Sequence, residues 1–196
     1  MDEPLAAHTA NEAGYCIRVA RCAACAGPME AAAPMPTGAA VAGELAVEAR
    51  CKRCGAARTF RFSCQFAPGA DGEAINPTDE PSRIVDLGQW VALAEHYIEA
   101  AAEAGAPGEA RRLGERACRC LGEALKFYGP EELPPEQAFF TAASAEAFGR
   151  SPVTFARQHL RDMQVRLPKP IGRRAGEHDA PAAAPPRARR WWEFWK

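Results

Sequence analysis

Two cysteine pairs, Cys22-Ala-Ala-Cys25 and Cys51-Lys-Arg-Cys54, constrain this chain more than any other feature. A C-x2-C turn lets two sulfurs converge on one metal ion at about 2.3 Å, and two such turns complete a tetrahedral shell of four thiolates. The spacing predicts one structural zinc ion held by Cys22, Cys25, Cys51 and Cys54. A shell of four protein ligands leaves no open position for a substrate. The same sulfurs also suit iron, which would make the centre coloured and redox-active, so the identity of the ion stays open at this point.

The segments around the pairs read as strands. Tyr15, Ile17 and Val19 alternate with Cys16 and Arg18, which predicts a strand entering the first turn. Leu45 and Val47 alternate with Glu44 and Glu48 ahead of the second turn, and Gly55 just after it can accept the positive φ that ends a tight turn. From Arg58 to Phe66, Phe60, Phe62, Cys64 and Phe66 share one face and Thr59, Arg61, Ser63 and Gln65 the other. The stretch from Ala26 to Gly43, rich in Ala, Pro and Gly, reads as a long loop. Strand, cysteine turn, strand, cysteine turn, strand resembles the zinc-ribbon family over about Tyr15 to Phe66. That resemblance implies a small antiparallel sheet stapled by metal. Twenty-five residues lie between Cys25 and Cys51, against about 15–20 in the common pattern, so the excess is expected to loop out of the sheet. A rubredoxin-like iron protein is the redox alternative. A dithiol oxidoreductase is a further one, although such pairs normally open a helix in a βαβ unit.

Compartment and charge narrow the partners. No apolar run of seven or more residues follows the acidic start Met1-Asp2-Glu3-Pro4, and no stretch approaches eighteen apolar residues, which predicts a cytoplasmic chain with no transmembrane segment. Eight cysteines in such a compartment fit reduced thiolates better than disulfides. The net charge of −1 is segregated: residues 14–66 carry seven basic and three acidic side chains, residues 67–167 ten and sixteen, residues 168–196 seven and three. No uniformly basic footprint exists, so nucleic-acid contact would be local, through Arg50, Lys52, Arg53, Arg58 and Arg61 around the second turn. The plainer reading is a solvated face, because Phe60 and Phe62 belong to the side that should be buried.

Residues 67–81 are polar and punctuated by Gly and Pro and read as a linker. Ser82 is the expected cap of a helix on which Ile84, Leu87, Val91, Ala94, Ile98 and Ala101 recur at steps of three and four, widened by Trp90, Leu93 and Tyr97. Pro107-Gly108 is the expected turn into a second helix that carries Leu113, Ala117, Cys120, Leu121, Ala124, Leu125 and Tyr128 on one face, with Cys118 off the stripe and partly exposed. Trp90-x2-Leu93-Ala94-x2-Tyr97 with Ala117-x3-Leu121-x2-Ala124 and Pro130 resembles the tetratricopeptide signature, which implies a protein-binding helical scaffold. An ordinary helical hairpin accounts for the same residues. Phe139, Phe140 and Phe148 are expected as apolar anchors on short helices, and Ser151-Pro152 starts a last helix through Phe155, Leu160 and Met163 to Leu167. No histidine pair among residues 8, 96, 159 and 178 has ligand spacing, and no catalytic constellation emerges.

The expected architecture is thus α+β: a flexible start at 1–13, an antiparallel ribbon at 14–66, a linker at 67–81, a small helical bundle at 82–167, a disordered stretch at 168–190 and a Trp-rich tip at 191–196. The tip and the arginines before it, Arg189, Arg190, Trp191, Trp192, Phe194 and Trp195, combine the residue types that dominate binding hot spots. Docking on a protein partner is the favoured role, with peripheral membrane contact and a mobile end of no role as the alternatives. On sequence alone the chain reads as a non-enzymatic zinc-binding adaptor, with a nucleic-acid-associated zinc-ribbon protein as the rival class and a rubredoxin-like iron protein as the second alternative.

Overall fold

The computed structural model describes residues 3–36, 43–66 and 74–169. The fold is α+β. Four strands, β1 (Leu5–Ala7), β2 (Met29–Ala31), β3 (Gly43–Cys51) and β4 (Ala57–Cys64), form one sheet in the order β1-β4-β3-β2. β3 pairs antiparallel with β4 on one side, in a register that sets Leu45 opposite Phe62 and Val47 opposite Phe60, and with β2 on the other. Along β4 the alternation holds as expected: Phe60, Phe62 and Cys64 are buried between exposed neighbours.

Three expectations about the front of the chain need correction. Tyr15–Val19 is not a strand but the end of a helix, α1 (Ala10–Val19). Viewed over ten residues the apolar positions Ala10, Ala13 and Ile17 recur at helical steps, and Thr9 caps the first turn by accepting from the Glu12 amide at 3.2 Å. A five-residue window was too short to separate the two periods. Residues 1–13 are likewise not a loose end where described, since β1 pairs in parallel with β4 and places Ala7 beside Cys64. Within the expected loop from Ala26 to Gly43, Met29–Ala31 forms β2 and Met29 is buried, while residues 37–42 lie outside the described residues.

Behind the sheet stand α2 (Leu87–Glu103) and α3 (Pro107–Leu125), an antiparallel hairpin, followed by α4 (Ala142–Arg150) and α5 (Arg157–Arg166). The cap of α2 is Asp86 rather than Ser82: its carboxylate accepts from the Gln89 amide at 2.8 Å, and the Gln89 side chain accepts from the Asp86 amide at 2.9 Å. Ser82 instead closes the turn before it, accepting from Val85 N at 3.0 Å. Asp86 also takes hydrogen bonds from Thr141 and Ser144, so one fully buried carboxylate serves the first turns of α2 and α4. Pro107 opens α3, where a missing N–H costs nothing.

A single buried cluster runs from the sheet into the helices. Tyr15 of α1 packs on Trp90 of α2, ring centroids 5.3 Å apart, and meets Tyr97 edge-on at 6.5 Å. Ile75 and Asn76, in the stretch expected as a linker, are buried, and the Thr9 hydroxyl donates to the Ile75 carbonyl. Phe139, Phe148 and Phe155 form a ring cluster, with Phe139 and Phe148 centroids 4.6 Å apart. Three lesser expectations fail. Ser151-Pro152 does not start the last helix, since Pro152–Phe155 forms a short 3-10 turn and α5 begins at Arg157. Cys118 is buried, because α5 covers that side of α3 through the Gln164 amide bound to the Cys118 carbonyl at 3.2 Å, and Phe140 keeps half its surface exposed. No helix among the described residues is long and apolar enough to cross a membrane.

Candidate metal centre

The end of β3 and the turn before β2 bring the cysteine pairs together. Met29, which opens β2, pairs with Cys51, which closes β3, so the two turns lie side by side at one end of the sheet. Each turn is built on the same skeleton. The amide of Cys22 donates to the Gly27 carbonyl and that of Cys51 to the Ala56 carbonyl, both at 2.9 Å. The amides of Ala26 and Gly55 donate back to the carbonyls of Cys22 and Cys51 at 2.8 and 3.0 Å. Ala26 and Gly55 occupy equivalent places and both have positive φ, +54° and +75°.

The sulfur atoms of Cys22, Cys25, Cys51 and Cys54 lie within 4.8 Å of one another. Cys22 Sγ stands 3.7 Å from Cys54 Sγ, and Cys25 Sγ 3.5 Å from Cys51 Sγ. Four sulfurs placed tetrahedrally at about 2.3 Å from one ion are about 3.8 Å apart, so the spacing fits the group the cysteines imply. Supporting donors surround them: the Gly27 amide points at Cys25 Sγ and the Arg53 amide at Cys51 Sγ, each at 3.4 Å. Arg53 also ties the turns together, donating from Nη1 to the Cys25 carbonyl at 3.2 Å.

The sulfurs are too close to ionise independently. The Cys54 amide, aided by that of Arg53 and opposed by desolvation, pulls the Cys51 thiol down to about 6. At Cys25 the Gly27 amide favours the thiolate, but the sulfurs of Cys51, Cys54 and Cys22 push the thiol up to about 12. A divalent cation among them removes that conflict, since its charge lets all four deprotonate together. No protein-family model, curated protein or solved structure matches the chain. The four-cysteine cluster is therefore the observation on which any reading of function stands.

Gly27 escaped the sequence reading. A Cβ there would stand 2.9 Å from Cys51 Sγ, 3.1 Å from Cys25 Sγ and 2.8 Å from Arg53 Cβ, so only glycine lets the first turn close against the second. The signal was available in Cys25-Ala26-Gly27, two residues past the pair. Also unforeseen is a buried ionisable group of His8, Glu12 and Glu123. His8 Nδ1 lies 3.0 Å from a Glu12 oxygen, the other Glu12 oxygen has no hydrogen-bond partner, and Lys126 pairs with Glu123 at 2.9 Å. Burial, partly offset by Lys126, raises Glu123 to about 7.

The five basic residues considered for nucleic acid are exposed but engaged. Arg50 pairs with Glu48 at 3.0 Å, Lys52 with Glu30 at 3.1 Å and Arg61 with Glu44 at 3.4 Å, while the Arg58 guanidinium lies 4.6 Å from the centre of the Phe60 ring. Arg53 is spent on the metal turns. Phe60 and Phe62 are buried and stacked on each other, so neither offers a platform for bases, whereas Phe66, expected on the same buried face, lies past the end of β4 and is exposed. Arg189, Arg190, Trp191, Trp192, Phe194 and Trp195 lie outside the described residues.

Proposed function

We propose that the protein is a non-enzymatic zinc-binding adaptor of the reducing cytoplasm, in which a structural ion fixes the sheet end and the Trp-rich tip docks on a protein partner. The single observation that carries this reading is the closed arrangement of four sulfurs within 4.8 Å. Four protein ligands satisfy zinc completely and leave no position for a substrate or an activated water, which is the mark of a structural rather than a catalytic ion. We favour zinc over iron because a zinc site needs no redox partner; the same four thiolates would hold iron in a coloured centre, so an absorption spectrum separates the two.

The docking role rests on the sequence of the tip, where three tryptophans stand among Arg189, Arg190 and Lys196. Trp and Arg concentrate binding energy when they fill desolvated pockets. Affinity capture with the full chain and with a chain ended at Arg190 tests the role. Recovery of a protein that disappears with the tip supports the reading. Equal recovery from both refutes it, as does sedimentation of the full chain with anionic liposomes in place of a protein. Tight binding of a labelled duplex or single strand that weakens steeply with salt would point instead to a nucleic-acid role.

A further inference from the structure

The four sulfurs of the metal centre do not meet solvent alike. Cys51 and Cys22 are buried, at 3% and 7% exposure, Cys25 is half-buried and Cys54 is exposed. The whole turn from Lys52 to Thr59 lies open around Cys54. A small reagent therefore reaches the centre from the Cys54 side.

Their hydrogen bonds differ as well. The Gly27 amide donates to Cys25 Sγ and the Arg53 amide to Cys51 Sγ, each at 3.4 Å. Among the described residues no amide donates to Cys54 Sγ or Cys22 Sγ, which lie 3.7 Å from each other. An N–H···S bond draws electron density from a thiolate, so a sulfur without one keeps more of its nucleophilicity. Oxidation of a thiolate follows that nucleophilic character together with exposure. Only Cys54 meets both conditions. Cys25 is accessible but takes an amide, Cys22 takes none but is buried, and Cys51 is both bonded and buried.

We infer that Cys54 is the site at which hydrogen peroxide oxidises this centre, and that Cys22, on the other turn, closes on it as a disulfide. The inference rests on the reading of the cluster as a metal centre and adds which of its sulfurs reacts. Cys54 Sγ attacks one peroxide oxygen; an S–O bond forms, the O–O bond breaks and hydroxide leaves. Cys22 Sγ then attacks Cys54 Sγ, and the S–S bond forms as the S–O bond breaks and a second hydroxide leaves. The two thiolates lose two electrons, the peroxide gains them, and protons from solvent turn both hydroxides into water. The sulfurs close from 3.7 Å to about 2.05 Å. Because Cys22 and Cys54 sit on different turns, a covalent tie between the turns replaces coordination. Cys25 and Cys51, 3.5 Å apart, remain as two ligands of a shell that needs four, so the ion is released.

The test uses the full, zinc-loaded chain. A substoichiometric amount of N-ethylmaleimide should place its first label on Cys54, as read by peptide mass mapping. Equimolar hydrogen peroxide should release the zinc to a chromogenic chelator, and tryptic mapping without reductant should find Cys22 joined to Cys54. Trypsin cuts after Lys52 and Arg53, so a bond within the second turn, Cys51 to Cys54, gives a different mass. Cys54→His keeps a four-ligand set used by structural zinc sites and should slow the peroxide-driven release by about tenfold or more. If that variant fails to hold zinc, the labelling and the disulfide map of the unaltered chain decide. A first label on Cys25, labels spread evenly over the four sulfurs, or a first label on a cysteine outside the centre overturns the inference. So does a Cys51–Cys54 bond, or release from Cys54→His at the unaltered rate. A folded chain without metal sinks the metal reading and this inference together, whereas a zinc-loaded chain labelled first elsewhere than Cys54 sinks this inference alone.

Discussion

The two ends of the molecule are closed by different means. At the helical end, Leu87, Trp90, Val91, Ala94, Ala117, Leu121 and Leu160 are buried, and the packing of α2, α3 and α5 is supplemented by the Gln164 side chain on the Cys118 carbonyl. At the sheet end, all eight residues from Lys52 to Thr59 are exposed, as are Ala23, Ala24 and Ala26 in the other turn. There is little apolar surface there to bury, so the turns draw their order from their backbone bonds, the Arg53 side chain on the Cys25 carbonyl and the ion the sulfurs imply. Small side chains are compatible with a metal staple because coordination does not depend on volume. The difference also explains why one end tolerates a long span between cysteines and the other requires close helical packing.

The largest effect should come from removing the ion. Structural zinc contributes about 10–16 kcal/mol of apparent binding free energy to folding in small sites, so stripping it or making Cys51→Ser should open the sheet end first. Hydrogen exchange should show amides from Cys51 to Thr59 losing protection while those of α2 and α3 keep theirs. Equal loss at both ends would break the comparison, showing one cooperative unit across the shared core.

At the packed end, Trp90→Ala should destabilise by about 3–5 kcal/mol in denaturant titration, with the metal still bound. Trp90 Nε1 is buried without a hydrogen-bond partner, so Trp90→Phe should lose much less, because it removes an orphaned donor along with some volume. A Trp90→Ala variant that releases metal would merge the two ends.

Between the ends, Glu123 ties stability to pH. Its folded value of about 7 lies above the ordinary carboxylate value, so the folded chain holds a proton that the unfolded chain has lost across that interval. Its contribution is therefore complete below about 4.5 and declines as pH rises to about 7, by up to roughly 3 kcal/mol. Glu123→Gln should flatten that slope relative to the unaltered chain and raise stability at pH 8. Parallel pH profiles for the two proteins would show that Lys126 compensates the charge fully.

The smallest effect sharpens the likeness of the two turns. Ala26 adopts φ +54° where Gly55 adopts +75°, and a Cβ in that region costs roughly 1–2 kcal/mol. Ala26→Gly should thus stabilise the metal-loaded chain by up to about 1 kcal/mol after the added entropy of the unfolded glycine, and Gly55→Ala should destabilise by a similar amount. A Gly55→Ala change without effect would show the turns are not equivalent.

Much of this was written in the local sequence. The cysteine spacing gave the cluster, alternation gave β4 and helical steps gave α2 and α3, since each is a short-range pattern. What stayed hidden depended on tertiary context or on window length. Tyr15–Val19 alternates over five residues, yet Thr9-x-x-Glu12 before it marks a helix start. β2 and β1 are three residues each and carry no period of their own, existing only because β3 and β4 offer paired edges. Asp86 outcompeted Ser82 as a cap because Thr141 and Ser144, distant in sequence, complete its hydrogen bonding. The need for glycine at position 27 arises only where the two turns meet, with Arg53 Cβ and the Cys51 sulfur against it.

Metal content of the purified chain bears most directly on the sulfur cluster. Elemental analysis alongside native mass spectrometry should find one zinc per folded chain, lost together with the protection of the turn amides on chelation. A folded chain free of metal, or one that carries its ion elsewhere when all four cysteines are replaced, would contradict the account.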